Sequence, residues 1–178
     1  PNQTAMQGYD DGHTAYADLG PNNHSIPLAL AFPRSGAADQ RDRELVAQSR
    51  VKLDSALQKD RQRVVFSAES ISSMEEGDLC ALRDQIAQHC DLIDVIIFVR
   101  EPLAWTASLV QQALKVGRPC DLHPFRGHMR ERLERLERVF GQRHVHIRRY
   151  EENAAQEDDS ARLFAHILDL DPAAMQRV

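Results

Sequence analysis

The chain reads as an α/β protein built on a parallel sheet. Two short apolar runs, 63–67 and 95–99, are rich in valine, isoleucine and phenylalanine, the composition of buried strands. Around them lie segments whose apolar residues recur every three or four positions, as on amphipathic helices. Strands that alternate with helices are joined by crossovers, and crossovers give a parallel sheet with helices on both faces.

The elements follow in order. From Gly8 to Gly36, glycine, asparagine, aspartate and proline recur, so the opening forty residues read as turns and loops. A helix is expected over 41–57, with Val46, Leu53 and Leu57 on one face. The first strand follows at 63–67. Ser73 and Glu76 have the spacing of a capping box, so the next helix should start there, with Leu79, Leu82, Ile86 and Cys90 as its stripe. The run 95–99 is apolar throughout and suits a central strand buried on both faces. Glu101 and Pro102 then open a helix, since proline suits the first helical position. Leu103, Ala107, Val110 and Leu114 share a face of that helix, and Gly117 and Pro119 end it. A helix over 124–140 carries Phe125, Met129, Leu133, Leu136 and Phe140, with Glu131–Arg135 and Glu134–Arg138 as i,i+4 pairs. Gly141 ends it. A strand over 144–148 and a helix over 160–168 complete the reading. No internal repeat interrupts it.

A length of 178 residues suits one domain with one core, spanning 1–178. The net charge of −5 argues against a nucleic-acid binder. No apolar run approaches the ~18 residues of a membrane helix, and no signal peptide opens the sequence, which points to the cytoplasm. Cys80, Cys90 and Cys120 fit neither a disulfide framework nor a zinc site, and read as reduced thiols. His89 and Cys90 have no second ligand pair nearby, so no metal is expected. The oligomeric state stays open.

In an open parallel sheet, ligands bind beyond the carboxyl ends of the strands. Two such ends are chemically loaded. Arg100 follows Val99 directly. There a guanidinium can fork onto a phosphate, or it can pair with Glu101 or Asp94. Ser67, Glu69 and Ser70 follow Phe66. Glu69 can serve as a general base, or cap the next helix, or pair with an arginine. His24 is a second candidate base, or a loop histidine satisfied by backbone. Trp105 fits core or rim better than a base-stacking role. The arginines of the 124–140 helix alternate with glutamates and read as a solvated face. Arg148 and Arg149 can meet an anionic acceptor, or simply be solvated.

The stretch 95–115 resembles the segment of bacterial PAPS-dependent sulfotransferases that binds the 3′-phosphate of PAPS (3′-phosphoadenosine 5′-phosphosulfate). In that family an arginine ends the strand and a serine follows eight residues later on the helix; Arg100 and Ser108 match those positions. Weaker likenesses to carbohydrate-type members run through 19–27, 64–69, 140–151 and 168–171. The resemblance implies a three-layer parallel sheet of P-loop NTPase-like sulfotransferase type. It implies PAPS as sulfuryl donor, a hydroxyl acceptor of carbohydrate type, no metal, and a base near Glu69. The family begins with a strand and a Gly–Lys–Thr loop whose N–H groups and lysine hold the 5′-phosphosulfate. Thr4 to Gln7 resembles the tail of that loop, which makes Thr4 a cofactor-binding candidate. The chain opens at Pro1 and its first lysine is Lys52, so the start of the domain is expected to be truncated or degenerate. Two other readings stand beside the enzyme. One is a non-catalytic sulfotransferase-like module that binds a nucleotide or a protein. The other is a nucleotide kinase, which would need a complete phosphate-binding loop and a magnesium carboxylate.

Overall fold

A computed structural model describes residues 9–17, 19, 40–115, 117, 128–150 and 165–170. The chain divides into two compact units, residues 1–91 with 153–178, and residues 92–152.

The first unit holds strand β1 (Thr14–Tyr16), helix α1 (Gln40–Leu57), strand β2 (Arg63–Val65), a 3-10 turn (Glu69–Ser73) and helix α2 (Glu76–Ile86). β1 and β2 pair in parallel, Thr14 opposite Arg63 and Tyr16 opposite Val65. β1 lies in the stretch expected to be irregular. Three residues are too few to carry a period, yet all three are buried. Asp11 organises the turn before it. Its carboxylate accepts from the N–H groups of Thr14 (2.7 Å) and His13 (2.9 Å) and from the Tyr9 hydroxyl (2.8 Å). Those donors stabilise the charged form and hold its pKa at about 2.

α1 matches its expectation, with Leu53 and Leu57 buried and Val46 half-buried. β2 stops at Val65, two residues short of the expected strand. Ser73 is not the N-cap of the next helix; Glu75 is. Met74 is extended and buried, so Ser73 closes the 3-10 turn and its hydroxyl donates to the Ser70 carbonyl at 2.9 Å. α2 starts at Glu76 behind Glu75, with Glu76 and Asp78 favourably placed in its first turn. Leu79 and Leu82 are buried, Ile86 half-buried and Cys90 exposed. Residues 165–168 are helical, and Leu170 closes that end by donating its N–H to the Ala165 carbonyl at 2.8 Å.

The second unit holds strand β3 (Val95–Val99), helix α3 (Pro102–Lys115), helix α4 (His128–Phe140), a 3-10 turn (Gln142–His144) and strand β4 (Val145–Arg149). β3 and β4 pair in parallel over their full length, Val95 opposite Val145 through Val99 opposite Arg149. β4 begins one residue later than expected because His144 closes the turn before it.

Two expectations are corrected in this unit. β3 is half-buried at every position rather than enclosed on both faces, and its hydrogen-bonded neighbour is β4. β2 pairs with β1, so among the described residues β2 and β3 belong to separate two-stranded sheets. Of the apolar face expected for α3, only Val110 is half-buried; Ala107 is exposed, Leu103 is 78% exposed and Leu114 66%. Ala104, Trp105 and Ser108 take the half-buried side instead. Trp105 has more apolar surface to cover than Leu103, so its burial decides the rotation of the helix.

α4 buries Leu136 and pairs Glu131 with Arg135 at 3.2 Å, as expected; it also buries Val139, which was not in the expected stripe, and Glu134 takes Arg130 at 2.7 Å, one turn back, where Arg138 was expected. Residues 124–127 of the expected helix lie outside the described residues. Gly141 stops α4 with φ 88°, a left-handed conformation that strains any residue with a Cβ. Among the described residues, no helix is long and apolar enough to cross a membrane.

Candidate anion-binding site

Parallel strands of equal length place their two following residues side by side. Here those residues are Arg100 after β3 and Tyr150 after β4. The Tyr150 N–H continues the ladder, donating to the Val99 carbonyl at 2.7 Å. The Arg100 guanidinium then lies over the Tyr150 ring, 4.3 Å from its centroid. Stacking on the ring face stabilises a cation while leaving its N–H edge open to an acceptor.

Two carboxylates stand close enough in sequence to neutralise Arg100, and both are engaged elsewhere. Asp94, at the far end of β3, accepts from His144 Nδ1 and His146 Nε2, each at 3.2 Å. Glu101 turns to the start of α3, where its carboxylate accepts from the Ala104 N–H at 2.8 Å. The N–H groups of Leu103 and Ala104 hold the Glu101 carboxyl below the usual range, and the nearby Arg149 cation adds to the effect. Among the described residues, Arg100 makes no ion pair. It is exposed, as are Arg148 and Arg149, so the carboxyl end of this sheet presents three guanidinium groups.

The Glu101 carboxylate occupies the Leu103 and Ala104 N–H groups at the start of α3. An anion there is bound by side chains and not by the helix end.

Ser108 is half-buried, on the side of α3 that carries Trp105. No hydrogen bond joins Ser108 to Arg100 among the described residues. Thr4 and His24 lie outside the described residues, as does the side chain of Glu69; the Glu69 backbone starts the 3-10 turn after β2. Of the His89–Cys90 pair, His89 Nε2 lies 3.6 Å from Asp54 Oδ1, and the Cys90 thiol donates to the Ile86 carbonyl. Two contributors were not anticipated. Tyr150 was missed because β4 was placed one residue early, and Glu101 was weighed as a partner for Arg100 rather than as a helix cap. Counting five residues of β4 against five of β3 would have found Tyr150.

No family model and no curated protein matches the chain. Among solved structures it is similar to a sulfotransferase from Alicyclobacillus acidocaldarius. The likeness covers 96% of this chain and 75% of that one, with a TM-score of 0.57 and 13% sequence identity.

The fold is sulfotransferase-like. At that identity the likeness speaks for the fold alone. It agrees with the resemblance read from 95–115, the segment that carries Arg100 and Ser108.

Proposed function

We propose that the chain is part of a cytoplasmic PAPS-dependent sulfotransferase acting on a hydroxyl of a carbohydrate-type acceptor. One observation carries the reading. Arg100 ends a parallel strand with its guanidinium stacked on Tyr150 and both neighbouring carboxylates engaged elsewhere, in a sulfotransferase-like fold. Arg100, assisted by Ser108, would hold the 3′-phosphate of the donor nucleotide. Thr4 would contribute on the phosphosulfate side. The fold would be a single domain with a three-layer parallel sheet of the P-loop NTPase-like type.

The reaction joins the acceptor hydroxyl oxygen to sulfur and breaks the bond between sulfur and the 5′-phosphate oxygen, so that PAP leaves. The hydroxyl proton passes to a base, for which Glu69 is the first candidate and His24 the second. A loose transition state asks mainly for positioning and charge stabilisation, and no metal is needed.

Calorimetry with PAP tests the reading without knowledge of the acceptor. Arg100→Ala should weaken PAP binding by about 1.5–3 kcal/mol, the range of a charge-assisted hydrogen bond. It should leave the nucleotide that lacks the 3′-phosphate almost unaffected. Equal weakening of both nucleotides removes the 3′-phosphate assignment. If neither nucleotide binds the unsubstituted protein, the chain is better read as an interaction module of the same fold.

A further inference from the structure

The β3–β4 register sorts the arginines at the carboxyl end of this sheet by face. Residues in register on neighbouring strands point to the same side, and successive residues alternate. Arg148 is opposite Phe98, and Tyr150 and Arg100 each stand two residues further along their own strands. Arg148, Tyr150 and Arg100 therefore share one face. The guanidinium of Arg100 over the Tyr150 ring shows that the alternation runs on past the strand ends. Arg149 is opposite Val99 and takes the other face, where its charge reaches the Glu101 carboxylate.

Spacing brings Arg148 within range of Arg100. Neighbouring strands lie about 4.8 Å apart and two residues advance about 6.6 Å, so the two Cα atoms are diagonal neighbours roughly 8 Å apart, a gap that long side chains span. Arg148 is exposed, and its Nη1 donates to the Ile147 carbonyl at 3.3 Å. That long contact uses one of the five N–H donors of the guanidinium, and re-aiming the side chain costs that contact alone. A phosphate monoester carries nearly two negative charges at neutral pH, its second pKa being about 6. One guanidinium forks onto a pair of its oxygens and supplies a single charge. The remaining oxygen and the remaining charge call for another cation on the same face. We propose that Arg148 is the second arm of an anion clamp with Arg100, and that the clamp selects the dianion of a phosphate monoester over a monoanion. The proposal rests on the reading of Arg100 as the ligand of the 3′-phosphate, and adds to it a residue and a selectivity.

Calorimetry with PAP on the full chain reads the second arm. Arg148→Ala should weaken PAP roughly tenfold or more and spare the nucleotide that lacks the 3′-phosphate. Arg149→Ala, on the other face, should spare both. As pH falls through about 6, the unsubstituted chain should lose affinity for PAP more steeply than for the nucleotide without the 3′-phosphate. Arg148→Ala should remove that difference in slope, and Arg148→Lys, which keeps the charge but not the fork, should restore part of it. A merely structural role for Arg148 would weaken both nucleotides and leave the difference in place. Inorganic phosphate probes the clamp without a nucleotide: in NMR of the arginine Nε–H groups, Arg100 and Arg148 should move together while Arg149 stays still. If Arg148→Ala binds PAP as the unsubstituted chain does, the clamp is overturned and the sulfotransferase reading stands. If the unsubstituted chain binds no PAP, that reading falls and the phosphate titration decides the clamp alone. A response of Arg100 without Arg148, of all three arginines alike, or of none then overturns it.

Discussion

The two parallel sheets differ in a way that burial alone does not anticipate. β1 contributes three residues, all buried, in the unit that also buries Leu53, Leu79 and Leu82. β3 contributes five of the most apolar residues in the chain, and each remains half-exposed; on its partner β4, Ile147 is 41% exposed. The shorter sheet is the drier one. The longer sheet carries the exposed cations at its carboxyl end and the Asp94–histidine cluster at the other. The first sheet reads as a structural anchor with a candidate base after β2. The second reads as a binding surface.

If that division is right, substitutions in the two units should change different observables. The largest effect should come from Glu69→Gln, expected to slow turnover by roughly 10²–10⁴-fold while nearly sparing PAP affinity. Kinetics and calorimetry on the same variant separate the two, and an unchanged rate would move the base to His24 or elsewhere. Next, Leu79→Ala should lower stability by about 2–5 kcal/mol in urea unfolding, because a fully buried leucine leaves a cavity. Ile147→Ala should cost less than about 1.5 kcal/mol, since its side chain already meets water. Equal costs would mean that the second sheet is as well packed as the first. Ser108→Ala should weaken PAP by only about 0.5–1.5 kcal/mol, as a neutral donor.

The smallest effect concerns pH. The Asp11 carboxyl is held at about 2, below its ordinary 3.8. A depressed carboxyl contributes stability in full above the unfolded value, and that contribution fades as pH falls from about 4 towards 2. Asp11→Asn should flatten the acid limb of the stability profile in that window. Carbon NMR of the side-chain carboxyl checks the titration directly, and a midpoint near 3.8 would remove the link.

What was legible in the sequence follows the strength of each local signal. β3 and α3 were readable because a β-branched run, a terminal arginine and a proline at the first helical position agree with one another. α1 and α4 were readable from their periods. β1 was hidden because three residues carry no alternation. The Ser73–Glu76 spacing misled because Met74 needed burial more than Ser73 needed a helix to cap. The outward turn of Leu103 and Leu114 could not be read from periodicity, which finds an apolar face but does not rank it against a competing tryptophan. Arg100 was legible as a candidate from its place after the strand. That both neighbouring carboxylates turn away from it was not, because that depends on where Asp94 and Glu101 find their partners.

Gly141 sets the spacing of the second sheet. The backbone reverses there with φ 88°, and Gln142–His144 fill a fixed interval before β4 begins. That interval acts as a reading frame. Loss or gain of one residue within it would advance β4 by one position against β3, and every β4 side chain would change sides. Val145 would give up its buried place to a histidine. Tyr150 would swing away from Arg100, and the guanidinium would lose its platform. The pairing of arginine and tyrosine is therefore encoded as a count of residues that starts nine positions before the contact itself.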